Sequence, residues 1–213
     1  MGGEKLAMNA QGRVAREEVP ALAMSILEAV PQEDPDVAKW KSMLDGHRLD
    51  DAHSDEPYAL MTCVLALQAV AEGNAGVGCM IAAADGGAIA YGHNKVFHPY
   101  FRSDLHGEMV TMNELEDLRL DIPPGELTLY TSLEPCPMCM ARMLTAGIGR
   151  VLYLARDEMW GMTEERDKLP PTWRDLAEGK IFAAADCSYE LRDASSGIFG
   201  INIDELYERL KNR

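Results

Sequence analysis

The chain has 213 residues, 47% of them hydrophobic and 26% charged, which suits a globular domain with one sizeable core and excludes a disordered or collagen-like chain. Its formal net charge of −15 repels phosphodiesters, so a nucleic acid would need a strong local basic patch. No apolar run approaches the roughly eighteen residues of a membrane span, and Arg13, Arg16, Glu17 and Glu18 stand where a signal peptide would be apolar, so a cytoplasmic protein is expected.

Residues 1 to 18 hold Gly2, Gly3, Asn9 and Gly12 with no sustained period, which predicts a frayed terminus. Leu22, Ile26, Leu27 and Val30 then recur at helical spacing before Pro31, and Val37, Trp40 and Leu44 do so before Gly46. Two short helices joined by "PQEDPD" follow from this, and residues 1–53 read as an N-terminal helical extension to a main domain over 54–213. "SDEPYALMTCVLALQAVAEGN" has Ser54 as a cap, Pro57 in the first turn and Gly73 at the close; its apolar residues surround it, so this helix should be buried. "GCMIAAADGGAIAYG" gives two apolar runs about Asp85-Gly86-Gly87, a hairpin signal. A helix is predicted from about Leu105 to Leu118, and "PPG" at 123–125 ends the connection after it. "ELTLYTSL" reads as a strand, "CMARMLTAG" as a helix ended by Gly147, and "GRVLYLA" as a further strand. This is an α/β pattern whose later strands are joined by helical crossovers. Beyond Asp157 the polar, proline-broken "MTEERDKLPPTWRDLAEG" predicts a loop with one short helix, "KIFAAADCSYELR" a fifth strand, and "NIDELYERLKNR" a terminal helical tail with Leu206 and Leu210 four apart.

Five cysteines, an odd number without a secretory signal, argue against a disulfide framework. Cys63 and Cys79 lie within apolar runs and read as core, and Cys187 carries no signal. Cys136 and Cys139 remain, in "EPCPMCMAR", where Pro135 and Pro137 mark the start of a helix. Their spacing turns both sulfurs toward one face of its first turn, where the helix N-terminus favours thiolates. Alone, the pair fits a redox motif, half of a structural zinc site, or chance. A structural site would want a second Cys or His pair, and His47 and His53 stand far off in loop-like sequence.

The remaining strong candidate ligand is His106, in "LHGEM" at a helix start. One nitrogen and two sulfurs leave a tetrahedral position open, which a catalytic zinc needs for a water whose pKa it lowers toward ~7. Glu108 could take that water's proton. Residues two apart in an ideal helix point to nearly opposite sides, so this pair must sit where the backbone enters the helix.

His-x-Glu followed by Pro-Cys-x-x-Cys is a deaminase signature. "LHGEMVTMNELEDL" together with "LTLYTSLEPCPMCMARMLTAGIGRVLYLARD" resembles the cytidine deaminase-like superfamily over roughly residues 54–160, in its branch of cytosine, guanine and tRNA adenosine deaminases. "LYTSLEPCPMC" is most similar to guanine deaminases, His-Gly-Glu to fungal-type cytosine deaminases, and "GRVLYLARD" to the tRNA enzyme. The resemblance implies a three-layer α/β/α sandwich with a mixed, roughly five-stranded central sheet. It implies Zn2+ held by His106, Cys136 and Cys139, with Glu108 as the proton shuttle for hydrolysis of an aminated heterocycle, such as guanine, cytosine or a related base or nucleoside, to a carbonyl product and ammonia. It further implies a homodimer, a substrate contact through Asn94 of "AYGHNKV", and backbone contacts through Gly107 and Cys136, the glycine letting a ring approach closely. By its residues alone Asn94 reads as a turn asparagine, and His93 as support for the same turn.

The loop "KVFHPYFRSDL" offers Phe97, Tyr100 and Phe101 for stacking on a flat heterocycle or for pinning the loop to the core, while His98 reads as a solvated loop histidine. Asp157 and Trp160 follow the last clear strand, where α/β sites commonly lie, and are candidate pocket residues. Met138, Met140 and Met143 on the Cys-bearing helix read as packing residues, in the core or across a subunit contact. Three rival readings remain. A tRNA adenosine deaminase would need a basic groove, for which Lys95, Arg102, Arg142, Arg150 and Arg156 are the candidates. A zinc-stabilised binding protein has no use for Glu108, and a redox Cys-x-x-Cys protein would not hold zinc stably.

Overall fold

The structure, a computed structural model, describes residues 13–213. The predicted fraying lies outside the described residues up to residue 12, and over 13–18 it is not what is found. Val14 bridges Ala88 through two backbone hydrogen bonds of 3.0 and 2.8 Å, and Arg16–Glu18 form a 3-10 turn. Helices α1 (Val19–Ala29) and α2 (Pro35–Gly46) follow, the second started by Asp34, whose carboxylate accepts from the N–H groups of Asp36 and Val37. Both lay their apolar stripes, including Leu22, Leu27, Val37 and Leu44, against α3 (Glu56–Ala71). Helix α3 is buried on nearly every side, as its apolar circumference requires. Ser54 does not cap it. Its hydroxyl donates to Asp186, 3.1 Å away, and the residue at the N-cap position is Asp55.

The predicted hairpin is β1 (Gly78–Ala82) and β2 (Ala88–His93). After it come α4 (Gly107–Leu118), β3 (Thr128–Leu133), α5 (Pro137–Ala146), β4 (Arg150–Ala155), α6 (Pro171–Ala177), β5 (Ile181–Ala184), α7 (Tyr189–Phe199) and α8 (Ile203–Lys211). The sheet order is β2-β1-β3-β4-β5, antiparallel from β2 through β3 and parallel from β3 to β5. Helices α3 and α7 pack on one face, and α4 and α5 cover the other through Met112, Cys139 and Met143 against Ile81, Leu129 and Val151. This is the expected three-layer α/β/α sandwich about a mixed five-stranded sheet.

Helix α7 has no counterpart among the predicted elements, where residues 189–192 were grouped with the fifth strand. Its buried side, Leu191, Ala194, Ser195 and Ile198, keeps helical spacing, but two of those four positions are small and the apolar period is weak. Trp40 of α2 lies on Gly197, so close that a Cβ there would come within 2.0 Å of the indole.

Three chain segments meet beyond the carboxyl ends of β3 and β4: the β3–α5 connection, the turn after β4, and the N-terminus of α4. Open α/β sheets place ligands at that edge.

Candidate active site

His106 occupies the N-cap of α4 with an extended backbone (φ −61°, ψ 157°), whereas Glu108 is already helical. The change of backbone direction between them removes the opposition that two positions inside one helix would have. Cys136 is likewise the N-cap of α5, with Pro137 opening the helix and Cys139 in its first turn. Both helix starts point at one spot. The ligand atoms of His106, Cys136 and Cys139 lie within 4.8 Å of one another.

The donor set fits zinc. Bonds of ~2.3 Å to sulfur and ~2.0–2.1 Å to nitrogen at tetrahedral angles put two sulfurs about 3.8 Å apart, and a sulfur and a nitrogen about 3.6 Å apart. The structure has Cys136 Sγ at 3.6 Å from Cys139 Sγ and at 3.6 Å from His106 Nδ1. Two thiolates and an imidazole are also the borderline-soft donors this ion prefers. His47 and His53 are engaged elsewhere, with Glu56 and Asp186 at 2.8 Å each.

Electrostatics in the cluster favour a thiolate. Hydrogen bonds from Cys139 and His106 outweigh burial and lower the Cys136 thiol to about 4, while Cys139, donating to Cys136 and buried, is pushed well up. Burial pulls His106 down, but the Cys136 thiolate beside it more than reverses this and leaves it raised. Glu108 is 4% exposed; burial first, and the Cys136 charge second, push its carboxyl up to about 7.

His106, Glu108 and Cys136 form one end of a cavity of about 340 Å³. Asn94, Phe97, Asp157 and Trp160 line it as well. Asn94 is buried, and its Oδ1 accepts from the Val96 N–H at 3.0 Å, which leaves its Nδ2 hydrogens uncommitted among the described residues. The asparagine is thus both a turn residue and a cavity residue. Asp157 folds its own turn, with Oδ1 accepting from the N–H groups of Met159 and Trp160 at 3.0 Å.

Two candidate residues stand apart from the cavity lining. Gly107 does not line the cavity. A Cβ there would stand 2.9 Å from the Val77 carbonyl oxygen and 3.2 Å from Cys79 Sγ, so the glycine lets α4 approach β1. Tyr100 is 65% exposed and away from the cavity, so of the three loop aromatics only Phe97 and Phe101 reach it.

The cavity roof is the part sequence reasoning missed. Phe199, Ile203, Leu206, Tyr207 and Leu210, from the end of α7 and from α8, close it, with Tyr207 and Phe199 edge-on to Trp160 at 5.6 and 6.4 Å. The signal was the Leu206 and Leu210 stripe, which named a helix but not what it covers. Glu134 also lines the cavity and was not singled out.

Residues 53–155 match the family described as cytidine and deoxycytidylate deaminase zinc-binding region. A probable cytosine deaminase of Schizosaccharomyces pombe is 28% identical over 123 residues, 57% of this chain and 74% of that protein; further curated relatives are matched over smaller shares of their length. Among solved structures, a tRNA:A34 deaminase of A-to-I wobble editing superposes with TM-score 0.53 at 26% identity, over 64% of this chain and 94% of its own. Guanine deaminase from Nitrosomonas europaea superposes with TM-score 0.53 at 19% identity, over 78% and 91%, a likeness of fold. Matched region, fold and donor set together define a zinc-dependent hydrolytic deaminase acting on C–N bonds. Residues 53–155 belong to the cytidine deaminase-like superfamily. No described helix is long and apolar enough to cross a membrane.

Proposed function

We propose that the protein deaminates a small free nitrogen heterocycle, a nucleobase such as guanine or cytosine or a related base or nucleoside, and that adenosine within tRNA is not its substrate. The observation that carries this reading is the roof: α8 lays Leu206, Tyr207 and Leu210 over a cavity whose walls include Phe97, Phe101 and Trp160. A half-open, largely apolar slot with aromatic walls suits a flat ring, and helix α8 narrows the path that the backbone of a polynucleotide would need. The candidate cations of a tRNA groove are also largely spent. Arg102 pairs with Asp104 at 2.7 Å, Arg142 with Glu116 at 3.0 Å, and Arg156 with Glu164 at 2.7 Å.

In this reading His106, Cys136 and Cys139 would hold the zinc, which when bound supplies a Lewis acid that makes hydroxide available near neutral pH. Glu108 moves the protons. Its carboxylate takes one from the attacking water and passes it to the ring nitrogen next to the amino-bearing carbon, then protonates the departing amine. The C–N bond breaks, the amino group leaves as ammonia, and the oxygen of the water remains on the ring carbon as the C=O of the product. Burial holds Glu108 near 7 and the zinc charge pulls the other way, so the group can both take and release a proton at neutral pH. Asn94 offers its Nδ2 hydrogens to the ring, Phe97 and Trp160 flank it, and Asp157 stands at its rim.

Residues 54–213 form the deaminase domain in this proposal, and 1–53 an extension whose helices brace α3. Free thiols throughout fit a cytoplasmic location. Homodimer formation belongs to the same proposal and is read out by light scattering.

The test is ammonia release by zinc-quantified protein from guanine, cytosine, adenine, their nucleosides, aminated triazines and pterins, with Glu108→Gln as blank. Release from one compound, absent in the blank, is expected. Silence on every free compound alongside inosine formation in tRNA would overturn the proposal.

A further inference from the structure

Glu134 is a carboxylate with no part in the chemistry above, yet it is 4% exposed and borders the cavity. A buried carboxylate is costly unless donors surround it. Here they all come from one segment. Oε1 accepts from the Thr163 N–H at 3.0 Å and, in a short hydrogen bond, from the Thr163 hydroxyl. Oε2 accepts from the Asp157 N–H at 3.2 Å and has Arg156 Nε at 3.8 Å.

The turn between those donors carries Asp157 and Trp160, and it is folded onto the carboxylate with no slack. A Cβ at Gly161 would stand 2.5 Å from the Glu134 carboxyl carbon. The Met162 N–H donates to the Pro135 carbonyl at 3.1 Å, and the Glu134 N–H to the Ala155 carbonyl at 2.8 Å. The segment Glu134-Pro135-Cys136, which leads into the zinc cluster, and the turn at 157–163 are therefore one hydrogen-bonded body. Trp160 is its projecting part, braced edge-on by Phe199 and Tyr207.

We infer that Glu134 is a positioning residue that sets the Trp160 wall of the substrate cavity in register with the zinc cluster. It acts through the turn and touches no reacting atom. The inference rests on the proposed reading of the cavity as the substrate site, so its test includes a measurement that needs no substrate.

The full chain, zinc-loaded and labelled with 5-fluorotryptophan, gives fluorine resonances from Trp40, Trp160 and Trp173, with Trp160 assigned by Trp160→Phe. Glu134→Gln keeps the shape but turns an NH2 toward an N–H donor, and Glu134→Ala removes both acceptors. The expected result is a displaced Trp160 resonance in both variants, with Trp40, Trp173 and zinc content unchanged. If Glu134→Ala fails to fold, Glu134→Gln and Thr163→Val decide. On whichever compound the ammonia assay identifies, kcat/KM should fall on the order of 10–100-fold, carried mainly by KM, as for a misplaced binding wall. A Trp160 resonance that stays in place, or one that moves together with the other two, overturns the inference whether or not a substrate has been found; so does a loss confined to kcat.

Discussion

The Arg209 guanidinium lies over the Phe97 ring, 5.0 Å from its centroid, and Arg213 repeats the contact on Phe101 at 3.5 Å. Both pairs are four residues apart in both segments, so α8 with the residues just after it meets the loop at 95–105 as matched rungs. Each exposed cation–π contact is worth about 0.5–1 kcal/mol. Together they favour the closed roof by about 1–2 kcal/mol, a factor of roughly 5–30 in its opening equilibrium. Arg209→Ala with Arg213→Ala should accelerate amide hydrogen exchange over 203–211 by about that factor, with exchange in β3 and β4 unchanged. Exchange over α8 that stays at the parent rate would show that the roof is held by Leu206 and Tyr207 alone.

The zinc cluster was legible because its chemistry is local: His106, Glu108, Cys136 and Cys139 stand at two helix starts marked by glycine and proline, and spacing alone constrains them. The contact geometry between His106 and Glu108 needed the N-cap backbone to be seen. The packing role of Gly107 was not legible, because a glycine in sequence says only that a Cβ is unwelcome, not that Val77 excludes it. Glu134 and the roof were invisible for another reason. Glu134 bonds to Thr163, 29 residues on, and α8 covers Phe97 from the other end of the chain; neither relation leaves a periodic or spaced trace.

Glu108 predicts a pH dependence of stability in chelator-stripped protein. Its folded-state value of about 7 stands above the ordinary 4.5, so its favourable contribution is complete below pH 4.5 and is lost as pH rises through about 7. At about 1.36 kcal/mol per pH unit the span is worth about 3 kcal/mol. Urea midpoints of the stripped protein should fall between pH 4.5 and 7, and Glu108→Gln should flatten that slope. Zinc should flatten it as well, since its charge stabilises the carboxylate. In the loaded protein the same substitution should keep the metal and abolish turnover. A slope that persists in Glu108→Gln would assign the pH dependence to another group.

Asn94 separates its two jobs by substitution. Asn94→Asp keeps an acceptor for the Val96 N–H but deletes the Nδ2 donor, so the turn should survive while a substrate acceptor is left unmatched, at about 1–3 kcal/mol. The expected outcome is a loss of kcat/KM of at least that size on the active compound, while the melting temperature, measured beside it, falls by the separate cost of burying the new carboxylate. Equal kcat/KM in the two proteins would confine Asn94 to the turn.

Trp40 and Gly197 define how the N-terminal helices hold the domain. The indole fills the space over Gly197, where a Cβ would come within 2.0 Å, so Gly197→Ala forces Trp40 off α7 and overpacks the contact by about 1–3 kcal/mol. At about 2–4 °C per kcal/mol for a chain of this size, the melting temperature should fall by about 2–12 °C. Trp40→Ala alone should also destabilise, by leaving a cavity. In the double variant the new methyl enters the space the indole has left, so the combined loss should be smaller than the sum of the two, a coupling that only residues in contact show. Thermal melts of the four proteins measure it directly. Additive losses would mean that α2 is not seated on α7, and that residues before Ser54 stabilise the rest of the chain only through α3.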